Sequence, residues 1–465
     1  MEQIYRATGL ISETEKETAI NCIEYALQAG ASQMRVSLNK SVMDSFSILN
    51  GELDKVTHSA DSSLFMYIFA DGRYGTFSTN NFEKRHLEGF IDKAIDTVRM
   101  LAPDECRQLP DPARMAKNAD KGTELGLYDT EYHNITPEQR LDTALASSLF
   151  KKAEPDCRYS VISEECEYSD SIDDNFTADS QGFRGRHIET SYAYCSEVTV
   201  SDADGNRLSG YWWESSPFLS GLQTEDCSYK ALKKATDKIG PQKHNGGKYK
   251  AVIDSSVSSR LFSPIISALN GAAIQQKNSF LDGKAGELIF SEHLTVMDMA
   301  NTIGKPGSRL YDTEGVATSD FPVIDRGVIT RYFVNTYISK KTGMAATIEG
   351  ISRPVLKPFI TDHNGIYISD KKEIHLTDIL DSCGSGIYIT GFNGGNCNQT
   401  TGDFSYGVEG FAFKDGKITH PVREMVITGN IISLWQNIIA AGTDARECTR
   451  WQIPTLAFSE ADFSA

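Results

Sequence analysis

The stretch that decides the fold reads GFNGGNCNQTTGDFSYGVEGFAFKDGKITHPVREMVITGN and runs from Gly391 to Asn430. Its early glycines and asparagines predict a shaped turn, because both residue types tolerate left-handed backbone angles. From Asp403 the apolar residues alternate as in a strand, and their parity changes near Glu409-Gly410, which predicts a β-bulge. Asp415-Gly416 is typical of a tight hairpin turn. The stretch therefore predicts a strand-rich, antiparallel C-terminal region.

A helix is predicted directly after this stretch. Asn430 offers an N-cap and Gly442 offers an end. The apolar residues between them recur with the spacing of one helix face; they are Ile431, Leu434, Trp435, Ile438 and Ile439. Another helix is expected at 257–270, where Pro264 should cause a kink or a break.

The first part of the chain combines two predicted helices with alternating strands. The helices are expected at 14–29, with Leu27 on the core face, and at 83–101. Asn50-Gly51 and Asp71-Gly72 are hairpin signals. The strands around them are predicted at 33–38, 44–49, 52–58 and 64–70, and those of the middle part at 158–169, 172–179, 187–201 and 207–213.

These elements predict an α+β protein of three domains. An N-terminal α/β module with antiparallel strands is expected at 1–112, and a β-rich middle region at 113–244. A large, mainly antiparallel β domain is expected at 245–465.

Composition excludes several classes of function. The 465 residues include 63 acidic and 46 basic side chains, and the formal net charge of −17 with no basic block disfavours direct nucleic-acid binding. The nine cysteines are scattered, as in reduced cytosolic proteins. Charged residues interrupt each apolar run before it could span a membrane, and the N-terminus lacks a secretory signal pattern. We therefore expect a cytoplasmic protein.

Further blocks, in a consistent order, resemble the TldD/PmbA family, whose members are described as modulators of DNA gyrase and as subunits of a metallopeptidase. They are AGASQMRVSL at 29–38, SGYWWESS at 209–216, NSFLDGKAGELIF at 278–290 and VNTYISKKTGMAATIEGISRP at 334–354, together with the opening stretch.

The resemblance implies two kinds of subunit. TldD carries a helix with an HExxxH motif, which supplies two histidine ligands of zinc and a glutamate that is not a ligand, and a cysteine near the C-terminus is the third protein ligand. PmbA, also called TldE, lacks the motif. In this chain no two histidines lie closer than twelve residues, and SSRLFSPIISALNG at 258–271 places Phe262, Ser263 and Ser267 where the motif should stand. Cys448 lies near the place of the cysteine ligand.

We therefore expect a PmbA/TldE-type subunit with no catalytic residue and no metal or other cofactor of its own, zinc being expected only in a TldD-like partner. Its expected partners are that subunit, a second copy of itself as a dimer, and small or unfolded peptides. Whether this chain is itself an enzyme stays open. The alternative is a non-proteolytic interaction protein that modulates gyrase-linked regulation, and a stand-alone hydrolase is a third hypothesis.

A peptide cleft is the candidate site in the opening stretch. Its polar side chains can hydrogen-bond an extended peptide, and a strand edge is a natural template for peptide addition. They could equally satisfy only the loop's own backbone. The candidate residues are Asn393, Asn396, Asp403, Phe404 and Ser405.

Overall fold

The computed structural model describes residues 8–151, 156–361 and 373–465. About 22% of the described residues are helical and 40% are strand, which confirms the α+β class. The described helices are α1 (Glu13–Gln28), α2 (Lys84–Met100), α3 (Pro137–Leu145), α4 (Cys227–Thr236), α5 (Ser259–Ala268), α6 (Gly271–Gln275), α7 (Thr336–Thr342), α8 (Leu376–Cys383) and α9 (Ile431–Gln436).

The strands form three sheets. In chain order they are β1 (Gln33–Leu49), β2 (Glu52–Ala70), β3 (Arg73–Thr79), β4 (Tyr159–Asp179), β5 (Arg184–Asp202), β6 (Arg207–Ser216), β7 (Gln242–Lys243), β8 (Gly247–Ile253), β9 (Val296–Asp298), β10 (Phe321–Asp325), β11 (Val328–Ile329), β12 (Pro354–Leu356), β13 (Phe359–Ile360), β14 (Gly386–Cys397), β15 (Asp403–Lys414), β16 (Lys417–Asn430), β17 (Ile438–Ala441) and β18 (Leu456–Ser464).

The chain divides into two compact units. The first comprises Met1–Thr236, Asn301–Thr318 and Asn335–Ile348, and the second comprises Asp237–Ala300, Ser319–Val334 and Glu349–Ala465. The division into three domains at 112 and 244 stays a prediction.

The first unit is built on a six-stranded antiparallel sheet in the order β3-β2-β1-β4-β5-β6. The predicted hairpins are confirmed, because Asn50, Gly51, Asp71 and Gly72 all have positive φ, as a tight two-residue turn requires. The strands are much longer than predicted: the separate segments 33–38 and 44–49 are one strand, as are 52–58 and 64–70. The polar residues between the segments also belong to the strands, because neighbouring strands hydrogen-bond to their backbone.

Helices α1 and α2 cover one face of this sheet. The prediction for α1 was wrong at Leu27, which is 39% exposed, because the helix presents its small residues to the sheet. Ala19, Cys22, Ile23 and Ala26 are buried there instead. Small side chains let the helix lie close to the strands. The buried face of α1 was not predicted, because polar residues flank these small residues and no strongly apolar stripe marks the face.

The second unit contains an eight-stranded sheet in the order β13-β17-β18-β8-β14-β15-β16-β7 and a four-stranded sheet in the order β11-β10-β9-β12. An additional pairing between β18 and β16 closes β18, β8, β14, β15 and β16 into a ring of strands. The Asp415-Gly416 hairpin is confirmed by positive φ at both residues.

Two predictions for the C-terminal region need correction and one is confirmed. The turn expected from Gly391 is strand, because β14 continues to Cys397. The irregularity predicted near Glu409-Gly410 is confirmed by register shifts of β15 against β14 and β16, with the extra residues on those two strands. The helix capped by Asn430 ends at Gln436, because Ile438 and the residues after it pair with β18.

Among the described residues, no helix combines the length and the apolar character needed to cross a membrane.

Candidate functional site

A cleft of about 500 Å³ opens on the second unit beside the first half of α5. A turn held by Asp254 leads into this helix, since the Asp254 carboxylate accepts a hydrogen bond from the Ser256 amide at 3.0 Å. Seven residues line the cleft: Ser256, Val257, Ser259, Arg260, Ser263, Phe392 and Trp451.

The polar wall of the cleft follows from helical periodicity. Ser256, Ser259, Arg260 and Ser263 recur three and four residues apart, so they share one side of the chain as it enters and forms α5. Five apolar residues of α5 are buried; they are Leu261, Phe262, Pro264, Ile265 and Ala268. The helix therefore offers hydroxyl groups and one guanidinium to the cleft.

An aromatic cluster packs behind this wall. The Phe262 ring lies edge-on to Trp435 and Trp451, with ring centroids 5.6 Å and 6.3 Å away. The Trp435 indole donates a hydrogen bond to the Leu261 carbonyl at 3.1 Å, which fixes the cluster against the backbone of α5. Trp451 belongs both to this cluster and to the cleft lining.

Arg260 is the charged side chain of the cleft lining. Its guanidinium carbon lies 5.0 Å from the centre of the Tyr406 ring, within cation–π range. Its Nη2 is 3.4 Å from the Gly395 carbonyl oxygen. The side chain is nevertheless exposed, so these contacts orient the guanidinium and leave donor groups available to a ligand.

An open strand edge borders the cleft at Phe392. Strand β14 pairs with β15 along most of its length, but with β8 only from Ile387 to Ile389. In the part of the chain that the structure describes, no strand covers the β8 side of β14 from Gly391 to Cys397. Backbone N–H and C=O groups on such an edge can pair with an added extended chain.

Glycines shape this edge. Gly394 and Gly395 have φ values of 65° and 79°, and the register between β14 and β15 shifts at this point. A Cβ atom on Gly395 would stand 2.0 Å from the Ser405 carbonyl oxygen, whereas a Cβ on Gly394 would meet nothing within 4 Å.

Replacing Gly395 with alanine is therefore expected to lower the free energy of unfolding by about 2–3 kcal/mol and to distort the cleft rim. Gly394→Ala is the matched control, because it carries only the backbone strain of positive φ, about 1 kcal/mol. Urea unfolding of both variants measures the difference. Equal losses in the two variants would show that the close approach of β15 does not matter.

The structure places the predicted peptide-cleft residues on β14 and β15, with different surroundings. Asn396 and Ser405 are exposed partners in the register. Phe404 is buried and stacks on Tyr406, with ring centroids 5.6 Å apart. Its side chain therefore supports the sheet, while its neighbours face outward.

The remaining two predicted residues have local partners. Asn393 donates a hydrogen bond to Glu409 at 2.7 Å. Burial opposes ionisation of Glu409, but hydrogen bonds from Lys238 and Asn393 outweigh it and lower the pKa of the carboxyl group. Hydrogen bonds from Asn430 and Thr401 lower the pKa of Asp403. Peptide binding by these residues stays a prediction.

The residues at the place of the zinc motif do not fit a zinc site. Phe262 is fully buried, Ser263 lines the cleft, and Ser267 is exposed and donates to the Ser263 carbonyl at 3.1 Å. A phenyl ring has no donor atom for a metal, and a serine cannot replace a glutamate as general base. Across 8–151, 156–361 and 373–465, no group of three or more His, Cys, Asp or Glu side chains could hold a metal ion.

Of the seven cleft-lining residues, sequence reasoning singled out only Ser263, as the residue at the motif's glutamate position; it missed Ser256, Val257, Ser259, Arg260, Phe392 and Trp451. Arg260 could have been found, because it precedes Ser263 by three residues on a predicted helix. Phe392 and Trp451 reach the cleft only through the tertiary fold, since 59 residues of sequence separate them.

Comparisons with known proteins agree with the family resemblance described under Sequence analysis. A family model described as "PmbA/TldA metallopeptidase C-terminal domain" matches residues 246–465, and one described as "PmbA/TldA metallopeptidase domain 1" matches residues 35–98. The chain is 25% identical to "Metalloprotease PmbA homolog" of Haemophilus influenzae over 100% of both chains. It is 23% identical to "Metalloprotease PmbA" of Escherichia coli O157:H7 over 94% of both.

Two solved structures share the fold. A Bacteroides thetaiotaomicron protein described as a "putative modulator of DNA gyrase" is 38% identical, with a TM-score of 0.90 over 98% of this chain and 100% of that chain. TldE from Thermococcus kodakarensis is 17% identical, with a TM-score of 0.79 over 96% of this chain and 100% of that chain.

Proposed function

The chain belongs to the PmbA/TldD metallopeptidase family, and we propose that it acts as a non-zinc subunit, of the PmbA/TldE type, in a cytosolic peptidase complex of this family. The observation that carries this proposal is the chemistry of α5. Where the family resemblance expects the zinc helix, this helix directs serine hydroxyls and Arg260 into a cleft and buries Phe262 behind them. That surface can bind a peptide but lacks the groups that hold zinc and activate water.

The cleft and the edge of β14 together suit an extended peptide. An added strand would pair with the backbone of 391–397, which is independent of the peptide's sequence. Phe392 and Trp451 offer apolar contact to alternate side chains, and Arg260 offers paired donors to a carboxylate. Small or unfolded peptides are the favoured class, because their backbone groups are free to pair, whereas most backbone groups of a folded protein are already hydrogen-bonded.

Hydrolysis requires a second, zinc-bearing subunit in this proposal. Zinc bound there supplies the activated water, and this chain contributes binding and orientation of the peptide. The three cleft serines have no histidine among the cleft-lining residues that could activate them as nucleophiles.

Co-expression with a TldD-like protein that carries HExxxH tests the proposal. The purified chain alone should contain less than stoichiometric zinc and leave an unstructured peptide intact, and the co-purified pair should cleave it in a chelator-sensitive manner. Chelator-sensitive cleavage by this chain alone would overturn the proposal. Failure of the two proteins to associate would instead favour the non-proteolytic, gyrase-linked role.

Arg260→Ala is expected to weaken peptide binding by the pair. Loss of one charge-assisted contact should raise KM for a short peptide roughly tenfold and change kcat much less, because the proposed contact would bind the peptide equally in the ground state and in the transition state. Lys357→Ala removes an exposed positive charge elsewhere on the second unit and is the control. Steady-state kinetics of both variants give their KM and kcat values. An equal effect of both substitutions would argue against a specific role for Arg260.

A further inference from the structure

Two histidine rings lie side by side at the edge of the eight-stranded sheet. His244 directly follows β7, and His420 lies on β16, the strand that pairs with β7. Their ring centroids are 5.9 Å apart, and both side chains are partly buried. Neither residue lines the cleft beside α5. The two rings therefore form a separate cluster, which the fold assembles from distant parts of the chain.

The spacing of the two rings fits a shared metal ion. An imidazole nitrogen binds zinc at about 2.0–2.1 Å, and it lies roughly 1.2 Å from the centre of its ring. Two imidazoles on one ion therefore have centroids about 5 Å apart at a tetrahedral angle and about 6.4 Å apart when they face each other. The observed 5.9 Å falls within this range. Rings in simple packing contact reach the same spacing, so the availability of a ring nitrogen distinguishes the two cases.

A β-bulge fixes the position of the proton on His420. Ala412 pairs with His420 and Phe413 pairs with Ile418, so Thr419 is an extra residue on β16. The Thr419 hydroxyl donates its proton to the Ala412 carbonyl at 2.9 Å. Its oxygen can then only accept a hydrogen bond from Nδ1 of His420, 3.1 Å away. In the neutral His420 ring the proton therefore lies on Nδ1, and Nε2 carries the lone pair.

Metal-binding histidines use this same arrangement. They donate their second N–H to a protein acceptor, which fixes the tautomer and the orientation of the ring. His244 is held by other contacts: its ring packs against Tyr249 with centroids 5.1 Å apart, and the Tyr249 hydroxyl donates to the Asn245 carbonyl at 3.0 Å. Both rings are therefore positioned before an ion binds, which lowers the cost of forming a site.

The charges beside the two rings do not oppose a cation. Lys243 and Lys248 flank His244 in the sequence. Each lysine pairs with a glutamate: Lys243 lies 3.5 Å from Glu424, and Lys248 lies 2.6 Å from Glu460. The two carboxylates offset the two ammonium groups, so a divalent ion meets little net repulsion here.

We propose that His244 and His420 form a two-histidine site for a divalent transition-metal ion, with water molecules completing its coordination. Imidazole ligands suit zinc, nickel and copper. In the part of the chain that the structure describes, β7 pairs with β16 only through Gln242 and Lys243. An ion held by both histidines would therefore fasten a weakly paired edge of the sheet. The site uses no cleft residue and does not depend on the proposed peptidase role.

Calorimetric titration with Ni²⁺ tests the site. The untagged full chain, treated with a chelator and desalted, should bind one Ni²⁺, and Ni²⁺ should raise its unfolding temperature. His244→Ala and His420→Ala should each weaken binding roughly tenfold or more and abolish the thermal shift, because each removes one of two ligands. His58→Ala is the control, since the His58 side chain is 61% exposed on β2. Binding that persists in both site variants, or no saturable binding by the parent chain, would overturn the proposal.

Thr419→Val tests the orientation of His420 without removing a ligand. Valine has the shape of threonine but cannot accept the Nδ1 proton, so Ni²⁺ affinity should fall roughly tenfold. Thr428→Val, on the same strand, is the matched control and should leave the affinity unchanged. Equal affinities of the two variants would contradict the assigned tautomer. Zinc that the chain loses with His244→Ala would belong to this site, whereas peptide cleavage by the pair should survive that substitution, so the two proposals fail independently.

Discussion

Replacing Asp174 with alanine is expected to lower the free energy of unfolding by roughly 3–5 kcal/mol, because the variant leaves a buried guanidinium without its counter-charge. The side chains of Asp174 and Arg186 are 0% and 5% exposed. Arg186 donates from Nε and Nη2 to the two carboxylate oxygens at 2.9 Å and 2.7 Å, in a bidentate arrangement. Such a pair is costly to break even where its net contribution is small.

The same carboxylate also secures the chain before α1. It accepts hydrogen bonds from the amides of Leu10 and Ile11 at 2.7 Å and 2.9 Å, and Arg186 donates to the Ile11 carbonyl at 3.0 Å. The alanine variant should therefore release this segment from the sheet and also leave the Arg186 charge without its partner. Hydrogen exchange of the Leu10 and Ile11 amides should become faster as stability is lost.

Urea unfolding followed by circular dichroism measures this effect. Asp204→Ala, at the exposed turn between β5 and β6, is the control and should change stability by less than about 0.5 kcal/mol. Asp174→Leu combined with Arg186→Met should recover the part of the loss that comes from the unpaired charge, but not the part that comes from the hydrogen bonds to the segment before α1. A loss in Asp174→Ala no larger than in Asp204→Ala would mean that water reaches Arg186.

Local turn chemistry was readable from the sequence, and strand length was not. Asn50-Gly51, Asp71-Gly72 and Asp415-Gly416 each adopt the positive φ values that their residue types favour. In contrast, the polar run around Lys40 breaks the alternation of β1, yet β2 and β4 pair with β1 on both sides through this region. Pairing with distant strands decides where a strand ends, and no short window of sequence contains that information.

For the candidate site, too, some features were predictable from the sequence and others were not. Ser263 was named from the sequence only as the residue at the place of the zinc motif's glutamate, and the structure places it in the cleft lining. Phe404 was grouped with Ser405 by sequence, although neighbouring strand residues face opposite sides, and Phe404 is buried. Ile438 fitted the helical period of α9, but its pairing with β18 makes it a strand residue. Periodicity identifies faces, and only the assembled sheet shows which face meets solvent.

Replacing Phe262 with histidine is expected to lower the free energy of unfolding by roughly 3–5 kcal/mol, because a polar ring replaces a fully buried phenyl group. The rings of Trp435 and Trp451 pack edge-on against this phenyl group, so the substitution also removes aromatic contacts. Ser263→Ala is the control and should change stability by less than about 0.5 kcal/mol, because Ser263 lies at the cleft. Thermal and urea unfolding would provide the two values.

Combined with two further substitutions, Phe262→His tests whether the zinc motif alone would give this chain a zinc site. The triple variant Phe262→His/Ser263→Glu/Ser267→His should bind zinc weakly at equilibrium. Residue 262 is buried in the core, so its histidine side chain would have to leave the core to reach a metal. The free energy of that rearrangement must be subtracted from the binding free energy of the metal. A stable triple variant with stoichiometric zinc would show that three residues alone separate this chain from a metal-binding subunit. Loss of folding without zinc uptake would show that the core behind α5 does not tolerate the motif, so that more than three residues separate this chain from a metal-binding subunit.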